Sequence, residues 1–172
     1  MPPDRQSGFT LIELMVTIAV LAVLLAWGLP NFQNSLRSNR VATSTNEVLA
    51  SVSLARSEAI RSTRGAGICA SSDGTGCNGA SWSDGWMVFA DTNANGSFDA
   101  GDTVLKFSRG SDKLSAALAP AGVIAFDARG RRRAAGDQVL TLKPSECGGQ
   151  PLQRTLTINA SGQVRTAKGD CS

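Results

Sequence analysis

Apolar positions crowd the start of this chain and thin out into short runs afterwards. Every residue of 14–29 is apolar except Thr17 and Gly28, and residues 9–29, as a helix, would rise about 31 Å against a bilayer core of roughly 30 Å. The polar start ahead of it, MPPDRQSG, is short, the apolar run exceeds a usual secretory core, and no small-x-small cleavage site follows. This stretch reads as a membrane span. Pro30 ends it; inside a continuing helix a proline removes one hydrogen bond and crowds the preceding turn, so a kink or local break is expected there. Beyond it Val41, Thr45, Val48, Val52, Ala55 and Ala59 recur at spacings of four and three, the pattern of a helix with one packed face. These side chains are small, which suits close approach to a sheet. Arg37, Arg40, Glu47, Arg56, Glu58, Arg61 and Arg64 fall on the other faces, and Gly65 is expected to stop the helix in a left-handed conformation.

After residue 65 the period changes. Short β-like runs at 66–70, 86–90, 103–107, 123–126, 138–142 and 155–158 are separated by clusters of Gly, Asn, Asp and Ser. Five or six short strands after one long helix predict an α+β fold in which the helix lies across an antiparallel sheet. The expected organisation is a span at 9–29, an amphipathic half-helix at 30–64 and a globular β-domain at 65–172.

Composition narrows the chemistry. The 172 residues include no histidine and no tyrosine, which excludes imidazole metal sites and Ser-His-Asp or Cys-His nucleophiles. No nucleophile, base and orienting group form a set, so no catalysis is expected. Cys69, Cys77, Cys147 and Cys171 all follow the apolar run and point to an oxidising compartment. Four cysteines allow three pairings; the short 69–77 loop and the nearness of Cys171 to the end favour Cys69 with Cys77 and Cys147 with Cys171. The net charge is only +3, but Arg129, Arg131, Arg132 and Arg133 are concentrated in one short stretch.

Glu13 interrupts the apolar run. A carboxylate within the first turn and a half interacts favourably with the helix dipole, yet its burial in hydrocarbon costs roughly 2.5–3.5 kcal/mol without a partner. Gly8-Phe9-Thr10-Leu11-Ile12-Glu13-Leu14 resembles the GFTLIEL signature of type IV prepilins and type II secretion pseudopilins. The resemblance implies that residues 1–8 are a leader, cut by prepilin peptidase between Gly8 and Phe9, that Phe9 is N-methylated, and that Glu13 pairs with the N-terminal amine of a neighbouring subunit. Further on, CASSDGTGC followed by SWSDGWMVFADTNANGSFDAGD is similar to the FimT/FimU minor pilins and the GspH pseudopilins. That similarity implies the type IV pilin fold. It also implies other major and minor pilins as partners, and a single-pass inner-membrane subunit with a periplasmic C-terminal domain that later enters an extracellular pilus. A GspH-type pseudopilin of a type II secretion system is the alternative.

Three constellations are candidate sites. Asp91, Asn93, Asn95, Asp99 and Asp102, with Gly96 at the sixth position, have the spacing of a calcium loop, although the twelfth position is Asp and strands flank it. The same composition serves Asx-turns in a hairpin connection. Arg129, Arg131, Arg132 and Arg133 surround Gly130, and guanidinium forks suit phosphate oxygens; a solvated hairpin tip is the other reading. Gly162, Arg165 and Lys168 form the third. DNA-binding FimT proteins are similar there but carry Gly-Arg-x-Arg, and this chain has Gln163 at the first arginine position. Gly130-Arg131-Arg132-Arg133 fits Gly-Arg-x-Arg as letters but lies upstream on a different loop; because phosphate contacts need positive charge more than fixed order, double-stranded DNA is an expected ligand, with Arg129, Arg131, Arg132, Arg133, Arg165 and Lys168 as the contacts.

Overall fold

The computed structural model describes residues 8–171, so of the expected leader only Gly8 lies within the described residues. One helix, α1 (Leu11–Ser62), is followed by eight strands: β1 (Gly65–Ala70), β2 (Gly85–Ala90), β3 (Thr103–Arg109), β4 (Leu114–Ala119), β5 (Ile124–Asp127), β6 (Gln138–Pro144), β7 (Gln153–Ile158) and β8 (Val164–Gly169). The chain divides into two units between Leu36 and Arg37.

In the first unit Thr10 caps the helix: its hydroxyl accepts the Glu13 N–H at 3.3 Å and its carbonyl accepts the Leu14 N–H at 3.2 Å. Phe9 and the apolar side chains from Leu11 to Phe32 are exposed, and this helix is long and apolar enough to cross a membrane. No described residue partners the Glu13 carboxylate. The break expected at Pro30 is absent, because α1 continues through it. Proline costs such a helix one donor, a loss that one turn can carry without ending.

In the second unit the predicted stripe is the buried face: Val41, Thr45, Val48, Val52, Ala55 and Ala59, joined by Ser51. The Ser51 hydroxyl donates to the Glu47 carbonyl at 2.9 Å and accepts the Trp86 indole N–H at 3.1 Å, so this buried polar group is satisfied in both directions. The helix does not run to Gly65. It ends at Ser62, and Thr63 takes the left-handed conformation at φ 55°. Gly65 instead opens β1, where a Cβ would stand 2.9 Å from the Asp91 carboxylate.

The single sheet of the sequence reading is two four-stranded antiparallel sheets, ordered β3-β2-β1-β5 and β4-β6-β7-β8. In β1 and β2 five of six residues are buried, which explains their unbroken apolar runs, since both faces are covered. One face joins α1 and the second sheet in a core of Val48, Val52, Ile68, Val88, Phe126, Leu140, Leu142 and Leu156. The other holds Cys69, Met87 and Phe89 beneath Phe98 and Phe107. Two disulfides, Cys69–Cys77 and Cys147–Cys171, tie the β1–β2 loop and the C-terminal segment.

Candidate functional site

Two sequence-distant glycine turns meet at one place on the second unit. After β5, Asp127 opens a turn in which its carbonyl accepts the Gly130 N–H at 2.8 Å, its N–H donates to the Arg131 carbonyl at 2.8 Å, and its carboxylate accepts the N–H groups of Arg129 and Arg131. After β7, Asn159 does the same: its carbonyl accepts the Gly162 N–H at 2.9 Å, its N–H donates to the Gln163 carbonyl at 3.0 Å, and its side-chain oxygen accepts the Gln163 N–H. Both turns are Asx-x-x-Gly-x, and each glycine is left-handed, at φ +69° for Gly130 and +78° for Gly162.

These turns touch glycine to glycine. A Cβ on Gly162 would lie 2.5 Å from the Gly130 carbonyl oxygen, and one on Gly130 would lie 2.7 Å from Ile60 Cδ1. Arg56, on α1, reaches between them and donates from Nη1 to the Gly162 carbonyl at 3.2 Å. The Arg132 N–H donates to the Ala160 carbonyl at 3.0 Å, completing the junction. The basic stretch 129–133 and the Gly162–Arg165 stretch are therefore neighbours in the fold.

The candidate arginines do not share one fate. Arg129, Arg131, Arg133 and Arg165 are exposed, and Arg131 forms an ion pair with Asp127 at 3.3 Å. Arg132 departs from the expectation of a solvent-facing contact: it is 6% exposed, pairs with Phe126 in an isolated bridge, and donates from Nη1 to the Ile158 carbonyl. Strand alternation around that bridge turns its side chain inward. Burial pushes the Arg132 guanidinium below its ordinary value, partly opposed by Asp137. Arg133 lies over Gly96, whose Cβ would be 2.9 Å from Arg133 Cδ. Lys168 stands three residues past Arg165 on β8, about 10 Å along the strand and on the opposite face. In the sequence Arg56 is one more charge off the helix stripe; only its reach to Gly162 marks it as part of the junction.

Asp91, Asn93, Asn95, Asp99 and Asp102 are brought together, but their oxygens face N–H donors of the same loop. Asp91 accepts the N–H groups of Asn95 and Gly96, Asp102 those of Thr92 and Asp99, and Asp99 accepts the Gly101 N–H and both asparagine side-chain amides. Among the described residues no group of three or more His, Cys, Asp or Glu is arranged to hold a metal ion. Arg133 also packs on the loop, and the internal bonds are those of Asx-turns. Isothermal titration with millimolar calcium is expected to give no saturable heat, and a stoichiometric heat would refute the turn reading.

Asp99 and Asp127 on these turns, and Asp73 in the β1–β2 loop, titrate low. Asp99 is held below the usual carboxylate range by the Gly101 N–H, then by the Asn93 and Asn95 amides; Asp73 is lowered by the Thr75 N–H and hydroxyl and by Asn78. At Asp127 burial pushes upward, but the Arg131 and Arg129 N–H groups and the Arg131 guanidinium outweigh it. A pKa lower in the folded than in the unfolded chain means the unfolded chain takes up protons first. The stabilisation is thus complete above the ordinary carboxylate value, roughly 4, and is lost as pH falls through the folded values. The thermal unfolding midpoint should fall as the buffer is taken from about pH 5 toward pH 2; a midpoint constant over that range would contradict it.

Comparison with known proteins adds two kinds of match. The sequence model of the family described as type II transport protein GspH matches residues 44–162, and that of the prokaryotic N-terminal methylation motif matches residues 3–29. The pilin-like protein PilA1 of Thermus thermophilus is 28% identical over 164 residues, covering 93% of this chain and 90% of the relative. The prepilin peptidase-dependent protein D of Escherichia coli is 62% identical over 34 residues, which span 20% of this chain and only 23% of that protein. Among solved structures, the type IV minor pilin FimU of Pseudomonas aeruginosa superposes with a TM-score of 0.57 at 22% identity, covering 75% of this chain and 89% of FimU. The minor pseudopilin EpsH of the Vibrio cholerae type 2 secretion system gives 0.50 at 16% identity, covering 74% of this chain and 96% of EpsH. At those identities the two structures speak for the fold: a long N-terminal helix packed on antiparallel sheets.

Proposed function

The chain belongs to the GspH family, the minor pilins and pseudopilins of type IV pili and type II secretion systems, and from that premise we propose that it is a minor pilin whose exposed basic surface binds double-stranded DNA. As a member of that family it is a structural subunit and not an enzyme. In this reading prepilin peptidase cuts between Gly8 and Phe9, Phe9 is methylated, and residues 9–29 first hold the subunit in the inner membrane with the β-domain in the periplasm. During assembly into the pilus Glu13 meets the N-terminal amine of a neighbour. The match of the methylation motif to residues 3–29 supports this half of the proposal.

The observation that supports the DNA half is the junction of the two glycine turns, which brings the stretch of exposed Arg129 and Arg131 against the stretch that leads to exposed Arg165. Arg133 packs over Gly96, Lys168 stands apart and Arg132 is buried beneath. Exposed guanidiniums suit phosphate oxygens, and such binding depends on salt far more than on base sequence. A mobility shift of the full-length protein in non-ionic detergent tests it. Duplex DNA of unrelated sequences should shift at low salt and be released as salt rises, and absence of a shift at low salt would end the DNA reading. A place in a type II secretion system is the second reading, kept by the family match and by EpsH. Deleting the gene separates the two: loss of pili with secretion intact supports the pilus, and the reverse supports the secretion system.

A further inference from the structure

We propose that the outer edge of β8, with the groove between it and α1, is a docking site for an extended acidic segment of another pilin subunit, which joins the second sheet as a further strand. That the partner is a pilin rests on the family reading; Arg165 is shared with the DNA reading, whereas the open edge, Arg56 and the apolar floor are independent of it.

β8 is the last strand in the order β4-β6-β7-β8 and pairs only with β7. The hairpin bond from the Asn159 N–H to the Gln163 carbonyl fixes the alternation. Arg165, Ala167 and Gly169 exchange bonds with β7, which leaves the N–H and C=O groups of Val164, Thr166 and Lys168 directed outward. Among the described residues no group of the chain meets them. Two other edges are partly closed: at β5 the Arg132 bridge and the Arg133 N–H to the Ala125 carbonyl occupy the rim, and at β4 the Ser81 hydroxyl donates to the Ala116 carbonyl.

Alongside β8 runs an open groove of about 430 Å³. Its floor is aliphatic, from Leu49, Val52 and Val164, and its rim carries Arg56 and Arg165 with no carboxylate in the lining. Arg56 Nε is buried there without a hydrogen-bond partner. Lys168 lies further along the same strand, opposite Arg154 of β7. A lysine on an edge strand ordinarily repels strand addition. Beside an apolar groove with further cations it becomes a selector, since a strand bringing carboxylates gains attraction where a neutral or basic strand meets repulsion. The fitting occupant is extended, with small aliphatic side chains for the floor and acidic ones between them; main-chain bonds to Thr166 and Lys168 supply affinity and alternate side chains supply specificity.

The test uses full-length protein in non-ionic detergent and a blocked heptapeptide alternating glutamate and valine, with the lysine–valine peptide as counterpart. Amide hydrogen exchange at Thr166 and Lys168 should slow by about tenfold or more with the acidic peptide and not with the basic one. Thr166→Pro removes an outward donor while sparing the bonds to β7, so it should abolish the binding yet leave the DNA mobility shift unchanged. Lys168→Glu, at an exposed position, should move the preference toward the lysine peptide. Equal slowing by both peptides, no slowing by the acidic one, or undiminished binding to the Thr166→Pro variant overturns the proposal. So does protection of these amides by duplex DNA alone, which would assign the edge to nucleic acid.

Discussion

Replacing Gly8 with aspartate should leave the chain uncut, longer by residues 1–8, in the membrane fraction and absent from sheared pili. The expected loss is all or none because two consequences follow from one bond. With that bond intact Phe9 has no free amine, so Glu13 has no cation to meet on assembly, and an unpartnered carboxylate within an apolar helix costs roughly 2.5–3.5 kcal/mol in each subunit. A Cβ at Gly8 meets nothing within 4 Å, so no close packing within the chain opposes a side chain at that position. Glu13→Val separates the two steps: that variant should be cut normally yet fail to enter the filament. Mass spectrometry of the membrane and pilus fractions reads both results, and a mature chain from the Gly8→Asp variant would overturn the assignment of the processing site.

What could be read in the sequence follows the range of the forces involved. The buried stripe of α1 was legible because helical period is a local property, and Val41 through Ala59 occupy the packed face as their spacing demands. The strands β1 and β2 were legible as continuous apolar runs. β4 was not, because Ser115, Ala117 and Ala119 alternate with Leu114, Ala116 and Leu118 in a segment whose alanines carry little strand preference. β8 was not legible either, since an edge strand needs no apolar face and VRTAKG has almost none. With those two strands missed, the division into two sheets could not be reached.

The candidate site shows the same limit more sharply. Each glycine turn was visible by itself, but their contact depends on the Gly162 backbone lying against the Gly130 carbonyl, which only long-range packing arranges. The inward turn of Arg132 hangs on one bridge with Phe126, so four neighbouring arginines that look alike as letters divide into three on the surface and one beneath it. Gly65 teaches a related point. A glycine just past a helix suggests a left-handed stop, yet here Thr63 takes that conformation and Gly65 makes room for Asp91.

Reversing Arg129, Arg131 and Arg165 to glutamate together should weaken DNA binding by roughly a hundredfold or more at low salt and flatten its salt dependence. Each phosphate contact contributes about −0.9 to the slope of log affinity against log salt, so losing three removes about 2.7. The variant should fold, because these side chains are exposed and the Arg131–Asp127 pair, with Arg131 56% accessible, is worth about 1 kcal/mol at most. Arg132→Gln makes the opposite demand. Removing a buried guanidinium that binds the Ile158 carbonyl should lower stability by about 1–3 kcal/mol while the folded fraction keeps its affinity, since Arg132 is not on the surface. Unfolding midpoints and mobility shifts on both variants give a crossed pattern that general charge loss would not produce. If the triple reversal binds as the wild type does, the joined turns are a packing device and the DNA surface lies elsewhere; if Arg132→Gln loses affinity at full folding, the buried arginine reaches the ligand after all.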